Sequence, residues 1–248
     1  MKILCLESTA KAAGVALLSD NETLGEILIR SGARSHTELL IPMVHSLLDS
    51  CGVALDEIGL FACTNGPGSF TGVRIGVSAI KGLAFGRSLP CAAVSSLEAL
   101  AENLSPLDGL LCPLMDARRN QVYNALFEMK DGILTRLTPD RALSIEALCE
   151  EIKTVYGKRA VRLVGDGVGV ALPHFLEAGL TVLPTPDGVS IQSAAAVGRC
   201  ALRLYEAGKV ASDLEISPLY LRLPQAERER LERLEREKEN KTIQNGKE

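Results

Sequence analysis

Histidine is scarce. Its three instances, His36, His45 and His174, contain no His-x-x-x-His pair, the spacing that sets two imidazoles on one helix face to hold zinc or iron. Metal-centred catalysis is therefore not expected. Gly-x-Ser-x-Gly is missing too, and no serine or cysteine stands in a nucleophile motif with a histidine assigned to it. The seven cysteines (Cys5, Cys51, Cys63, Cys91, Cys112, Cys149 and Cys200) include no Cys-x-x-Cys pair, and their odd number fits free thiols in a reducing compartment better than a disulfide framework. A cytoplasmic protein is expected. Basic charge is not in excess, with 27 Lys and Arg against 31 Asp and Glu for a net charge of −4, so strong nucleic-acid binding by this chain alone is not expected. Any RNA connection would run through a partner. No run approaches the ~18 apolar residues of a membrane span, and Glu7 interrupts MKILCLEST before a signal-peptide core can form. Neither export nor membrane insertion is expected.

What is present is an ordinary soluble composition, 46% hydrophobic over 248 residues, enough for one large domain or two small ones. Residues 2–8, 13–18 and 23–30 read as three short strands, followed by a helix over 36–51, a strand at 58–63, a helix over 71–86, a strand at 90–94 and a helix over 96–103. The pattern then restarts. Strands near 110–115, 121–128 and 133–136 precede a helix at 144–155, a strand at 160–164, a helix at 168–177, a strand at 181–183 and a helix at 190–207. Both halves have the order βββαβαβα, although they share little residue identity. The Pro-containing piece 103–113 fits the boundary, dividing the chain into lobes 1–104 and 105–223. After Pro224, residues 225–241 hold six acidic and six basic residues with only Leu231 and Leu234 as large apolar side chains. That composition predicts a solvated, partly frayed helical tail, each i,i+4 pair such as Glu229/Arg233 adding ~0.3 kcal/mol.

Residues 65–76, NGPGSFTGVRIG, look like a phosphate loop. The Walker A template fails because Val73 and Arg74 follow Gly72, and the dinucleotide fingerprint fails because position 71 is threonine. Two readings remain. Gly66, Gly68 and Ser69 could offer backbone N–H groups at a helix start, or the stretch could serve geometry alone, with Gly72, Gly76 and Ala79 along one helix edge letting another helix approach. The preceding helix has apolar residues spread over roughly 200° of arc, wider than the stripe of somewhat over 100° that one core requires. A neighbouring helix could cover the excess, or both helices could present an apolar ridge to a partner. Glu7 and Asp116 close the first strand of each half, where two carboxylates could hold a Mg-nucleotide, and Gly165-Asp166-Gly167 forms a further turn.

The tandem order resembles the actin/sugar-kinase/Hsp70 ATPase superfamily, with its ribonuclease-H-like α/β lobes and mixed five-stranded sheets. Within it, ILCLEST, SHTELLIPMV, NGPGSFTGVRIG, MDARRNQVY at 115–123, VGDGV at 164–168 and SPLYLR at 217–222 are similar to the TsaB (YeaZ) family, over about residues 1–222. The resemblance implies an accessory, non-catalytic subunit in biosynthesis of threonylcarbamoyladenosine at position 37 of ANN-decoding tRNAs. It implies a heterodimer with the catalytic subunit TsaD through helices 36–51 and 71–86, using Leu39, Leu40, Met43, Val44, Leu47, Gly72, Val73, Gly76, Val77 and Ile80. On this basis Leu40→Asp or Val77→Arg is expected to break partner binding and spare the fold. It also implies the ATPase TsaE as a further partner, tRNA contact only through the complex, and self-pairing of the chain when alone. Nucleotide or loop contacts would fall on Glu7, Ser8, Thr9, Gly66, Gly68, Ser69, Asp116, Arg118, Gly165 and Asp166. Glu7-Ser8-Thr9 lacks the glycine that nucleotide-using relatives place after the first strand, so no cofactor is expected on the chain itself, with ATP or ADP and Mg entering at the level of the complex. The alternative is a small-molecule kinase or ATPase of the same superfamily. A metallopeptidase lacks its ligands.

Overall fold

A computed structural model of the chain describes residues 1–30, 35–105, 107–222 and Arg233. The first sheet is built from β1 (Lys2–Glu7), β2 (Ala13–Ser19), β3 (Glu22–Ile29), β4 (Ile58–Gly66) and β5 (Cys91–Ser95) in the order β3-β2-β1-β4-β5. β1 pairs antiparallel with β2 and parallel with β4, the mixed arrangement that a three-strand meander followed by helical crossovers produces. α1 (His36–Cys51) and α2 (Phe70–Ala84) supply those crossovers, and α3 (Ser96–Glu102) closes the half. Local chemistry sets the ends of α1. The Ser35 N–H donates to Glu38 Oε2 at 2.8 Å, and Gly52 at φ 64° takes the left-handed turn that stops the helix.

The second half repeats this plan with β6 (Gly109–Arg118), β7 (Gln121–Asn124), β8 (Phe127–Lys130), β9 (Ile133–Arg136), β10 (Arg141–Ser144), α4 (Ile145–Glu151), β11 (Val161–Val164), α5 (Val168–Glu177), β12 (Val182–Leu183) and α6 (Ala194–Glu206). Its sheet has seven strands rather than the five expected, because the second and third positions are each divided. β7 and β8 lie along the same edge of β6, with Leu114 opposite Asn124 and Leu111 opposite Phe127. Pro113 sits in the gap. Its ring nitrogen has no N–H to give to the ladder, and the partner strand detaches there, Leu126 N–H turning to Thr138 Oγ1 and its carbonyl accepting from Leu137. The 121–128 strand read from the sequence is therefore two strands, and β10, which lies beside β7, has no counterpart in the sequence reading. The fold class stands: two mixed α/β lobes of ribonuclease-H-like order.

The lobes exchange their last helices. α6 packs Ala194, Val197, Cys200 and Ala201 against Ile3, Cys5, Leu18 and Leu60 of the first sheet, while α3 sets Leu97, Leu100 and Ala101 under Leu111, Phe127 and Val164 of the second. Small residues on α6 allow the close approach, a Cβ on Gly198 falling 2.5 Å from Leu18 Cδ1. Glu102 of α3 receives Arg199 at 3.1 Å and Arg203 at 2.8 Å from α6, closing the seam with charge-assisted bonds. Beyond α6, residues 211–222 run back over the first lobe as a strap. Cys91 and Ala211 exchange backbone hydrogen bonds, and Leu219 N–H donates to Asn65 O at 2.7 Å. Among the described residues no helix is long and apolar enough to cross a membrane. The predicted tail helix lies outside the described residues, apart from Arg233.

Candidate functional site: a cleft between the lobes

The two sheets open toward a cleft of about 470 Å³ lined by the β1–β2 turn (Thr9 to Lys11), the β4–α2 turn (Pro67 to Phe70), the end of β6 (Met115 to Arg118), Asp166 and the strap from Leu219 to Arg222. Strand ends put these loops together. β1 and β6 are the central strands of their sheets, so the turns that follow them face one another.

Of the residues predicted for ligand contact, Thr9, Gly68, Ser69, Asp116, Arg118 and Asp166 line this cleft, whereas Glu7, Ser8, Gly66 and Gly165 do not. Asp116 and Asp166 are the acidic pair. Burial raises the Asp166 carboxyl above the usual range, and nearby Asp116 adds to the effect against backbone hydrogen bonds that lower it. Asp116 accepts the Arg118 N–H at 2.8 Å and meets its guanidinium at 3.3 Å. The expectation that Glu7 faces Asp116 across the cleft needs correction. Glu7 is fully buried behind the wall, where Oε1 accepts from Thr9 N–H at 2.6 Å and from Thr9 Oγ1 at 2.5 Å. Its Oε2 is buried without a partner, as is Thr64 Oγ1. Burial pushes this carboxyl up, opposed by the Thr9 hydrogen bonds.

A raised folded-state value means the charged form is penalised by folding, so stability is lost as pH rises from the ordinary glutamate value through the raised one. Glu7→Gln removes the buried charge and keeps the carbonyl oxygen that accepts from Thr9. The variant is expected to exceed wild type by ~1 kcal/mol at pH 8, with the advantage shrinking as the pH approaches 4. Thermal melts across that range check it, and a lower melting point for the variant at pH 8 would refute the account.

The glycine stretch departs from the reading in which its small residues admit another helix, while Gly68 and Ser69 of the other reading line the cleft. A Cβ on Gly72 would lie 2.0 Å from Ser8 O, and one on Gly76 2.5 Å from Ser8 Oγ. These glycines admit the β1–β2 turn, not another helix. Ser8 Oγ donates to Gly72 O at 2.8 Å, and Ser69 N–H donates to Thr9 O at 2.7 Å. Gly66, at φ 125°, would carry its Cβ 2.4 Å from Leu219 O, so the strap crosses directly over it. Gly165, at φ 104°, approaches Leu114 O in the same way. The strap supplies residues that the sequence reading missed. Tyr220 stacks on Phe70 with ring centroids 4.6 Å apart and accepts from Arg74 Nε at 2.8 Å, while Arg222 donates to Ala117 O of the other lobe at 2.8 Å. SPLYLR was visible as a motif, but no periodicity in it told where it returns.

The residues expected to meet a partner also lie elsewhere than predicted. Leu40, Met43, Val44, Leu47, Val73, Val77 and Ile80 are buried in the core of the first lobe among Leu4, Leu6 and Phe61, with Leu39 packed at its margin and Gly72 and Gly76 buried beneath. The wide apolar arc is consumed by the sheet below and the helix beside it. α1 turns Ile41, 48% exposed, outward among polar His45, Ser46 and Asp49, and α2 turns Arg74, Ser78 and Gly82 outward, followed just past its end by Phe85, 75% exposed. A Cβ on Gly82 would meet nothing.

Comparison with known proteins bears on this arrangement. A family model described as TsaD: tRNA N6-adenosine threonylcarbamoyltransferase matches residues 22–211. The tRNA threonylcarbamoyladenosine biosynthesis protein TsaB of Escherichia coli is 31% identical over 226 residues, 90% of this chain and 95% of that protein. The chain belongs to the TsaB (YeaZ) family. The TsaB of Bacillus subtilis is 39% identical over 153 residues, 62% of this chain and 66% of that protein. Among solved structures, YeaZ from Pseudomonas aeruginosa superposes with a TM-score of 0.73 at 26% identity, covering 89% of this chain and 99% of that one.

Proposed function

We propose that this chain is a cytoplasmic, non-catalytic scaffold subunit in the biosynthesis of N6-threonylcarbamoyladenosine at position 37 of ANN-decoding tRNAs, supporting the catalytic subunit TsaD. Family membership supports the pathway. The observation that carries the scaffold role is what α1 and α2 leave open to solvent: Ile41 on α1, Gly82 on α2, where a Cβ would meet nothing, and Phe85 just after α2. Small residues on a helix surface let two helices approach closely, which suits docking of a like helix pair from TsaD. The same face accounts for self-pairing when the chain is alone. TsaE joins the assembly, tRNA reaches the chain through it, and ATP or ADP with Mg enters at the level of the complex.

The test substitutes that face and leaves the core. Ile41→Asp combined with Gly82→Arg is expected to melt within about 2 °C of wild type, since surface changes usually stay within ~0.5 kcal/mol, yet to lose co-purification with TsaD. Wild-type affinity in the double variant would overturn the reading.

A second reading rests on the cleft. Asp116 and Asp166, side by side at its wall, have the chemistry to hold a Mg-nucleotide, as a small-molecule kinase or ATPase requires. Calorimetry of the isolated chain with Mg-ATP separates the two. The scaffold reading expects no binding at millimolar nucleotide, and saturable micromolar binding would favour the kinase.

A further inference from the structure

The hairpin between β6 and β7 is backbone-strained and carries charge. Arg118, Arg119 and Asn120 all adopt the left-handed conformation, at φ 67°, 55° and 58°. Single left-handed residues are ordinarily glycine or asparagine, because a Cβ crowds the following carbonyl. Here two consecutive arginines accept that strain. The turn is tied at both ends: Arg118 N–H donates to Asp116 Oδ1, Ile145 N–H donates to Asn120 O at 3.2 Å, and Asn120 Nδ2 donates to Glu146 Oε1 at 2.6 Å. Strain held this firmly points to a use for the side chains that it presents.

Of these side chains, that of Arg118 stands at the mouth of the cleft. Arg118 is 80% exposed despite its contact with Asp116, and Lys11 and Arg222 line the same opening. Beside them is an aromatic step, Tyr220, 40% exposed and stacked on Phe70, with the Arg74 guanidinium 3.8 Å above the Phe70 ring. Guanidinium groups next to a partly exposed aromatic ring are a combination that holds single-stranded RNA, by phosphate pairing and base stacking.

We propose that this rim, comprising Lys11, Arg74, Arg118, Tyr220 and Arg222, contacts the phosphate backbone and an unstacked base of RNA. The carboxylates of Asp116 and Asp166 favour RNA over a small free phosphate. A phosphate drawn into the cleft meets two carboxylates, whereas a strand passing over the rim meets the cations first. The net charge of −4 keeps such binding weak for the chain alone, so its weight falls in the assembled complex. The inference thus rests on the scaffold reading for its setting, and on the rim for its chemistry.

The test uses Arg118→Gly, because glycine removes the guanidinium at the cleft mouth and relieves the left-handed strain. The variant is expected to melt at or above wild type and to assemble with TsaD normally. Its complex is expected to bind bulk tRNA about 10-fold more weakly at 0.1 M salt, with a log–log salt dependence shallower by roughly 0.7 to 0.9 for each phosphate left without its arginine. A second arm maps ultraviolet crosslinks from 4-thiouridine tRNA, on the chain alone and in the complex, to peptides containing 118 and 220. Unchanged affinity and salt slope in an intact complex, or crosslinks that avoid the rim in both settings, would overturn the proposal. Loss of Mg-ATP binding with tRNA affinity unchanged would also overturn it, assigning the rim to a free phosphate ligand. If wild-type chain never assembles with TsaD, the scaffold reading falls, and the crosslinks on the chain alone still decide whether the rim touches RNA.

Discussion

Val77→Arg is expected to leave no folded protein to purify. Val77 is 3% exposed on the inner face of α2, packed with Leu4, Leu6, Phe61 and Ile80 over the first sheet. A guanidinium there would sit among hydrocarbon with no acceptor, at a cost of several kcal/mol, on top of the disrupted packing. Domains of this kind are stable by only about 5–15 kcal/mol. Leu40→Asp, at 1% exposure in the same cluster, is expected to behave alike. Soluble yield and the far-UV circular dichroism melt read the result. A variant that folds and melts like wild type would show that α2 does not pack as described. Either substitution therefore reports on the core, and only Ile41 and Gly82 report on a partner.

Gly72→Ala and Gly82→Ala make the same change on the same helix and are expected to differ in sign. The Cβ at position 72 would lie 2.0 Å from Ser8 O, a backbone atom of a turn pinned by the Ser8–Gly72 and Ser69–Thr9 hydrogen bonds. Neither backbone can yield without breaking those bonds, so we expect a loss of about 3 kcal/mol, a fall in melting temperature of roughly 6 to 12 °C. At position 82 the Cβ meets nothing, and alanine is the better helix former by ~1 kcal/mol, so Gly82→Ala is expected to raise the melting point. Equal effects from the two would mean that the β1–β2 turn does not sit on α2.

Much of the fold was legible because it is written in local terms. The short strand-forming runs at 2–8 and 13–18, the helical pattern over 36–51 and the glycine stretch before α2 each depend on neighbours a few residues away. The division of the second hairpin was legible in principle. Pro113 is a visible break in a strand pattern, but its consequence falls on the partner strand at Leu126, and only pairing tells which residue lies opposite.

The candidate site was harder to read because its parts are far apart in sequence. A carboxylate at the end of β1 looks the same whether it faces a cleft or a core. For Glu7 the outcome rests on packing with Thr64, and both keep an unpaired buried oxygen. Arg222 closes the cleft by reaching Ala117, 105 positions earlier, a contact that no pattern in SPLYLR announces. Residue identity and spacing alone determined the element order of the first half, the tandem plan and the family. The tertiary structure alone decided which way each face points. Periodicity states that a helix has an apolar side and how wide it is, but whether that side meets a sheet, a turn or water depends on what the rest of the chain places there.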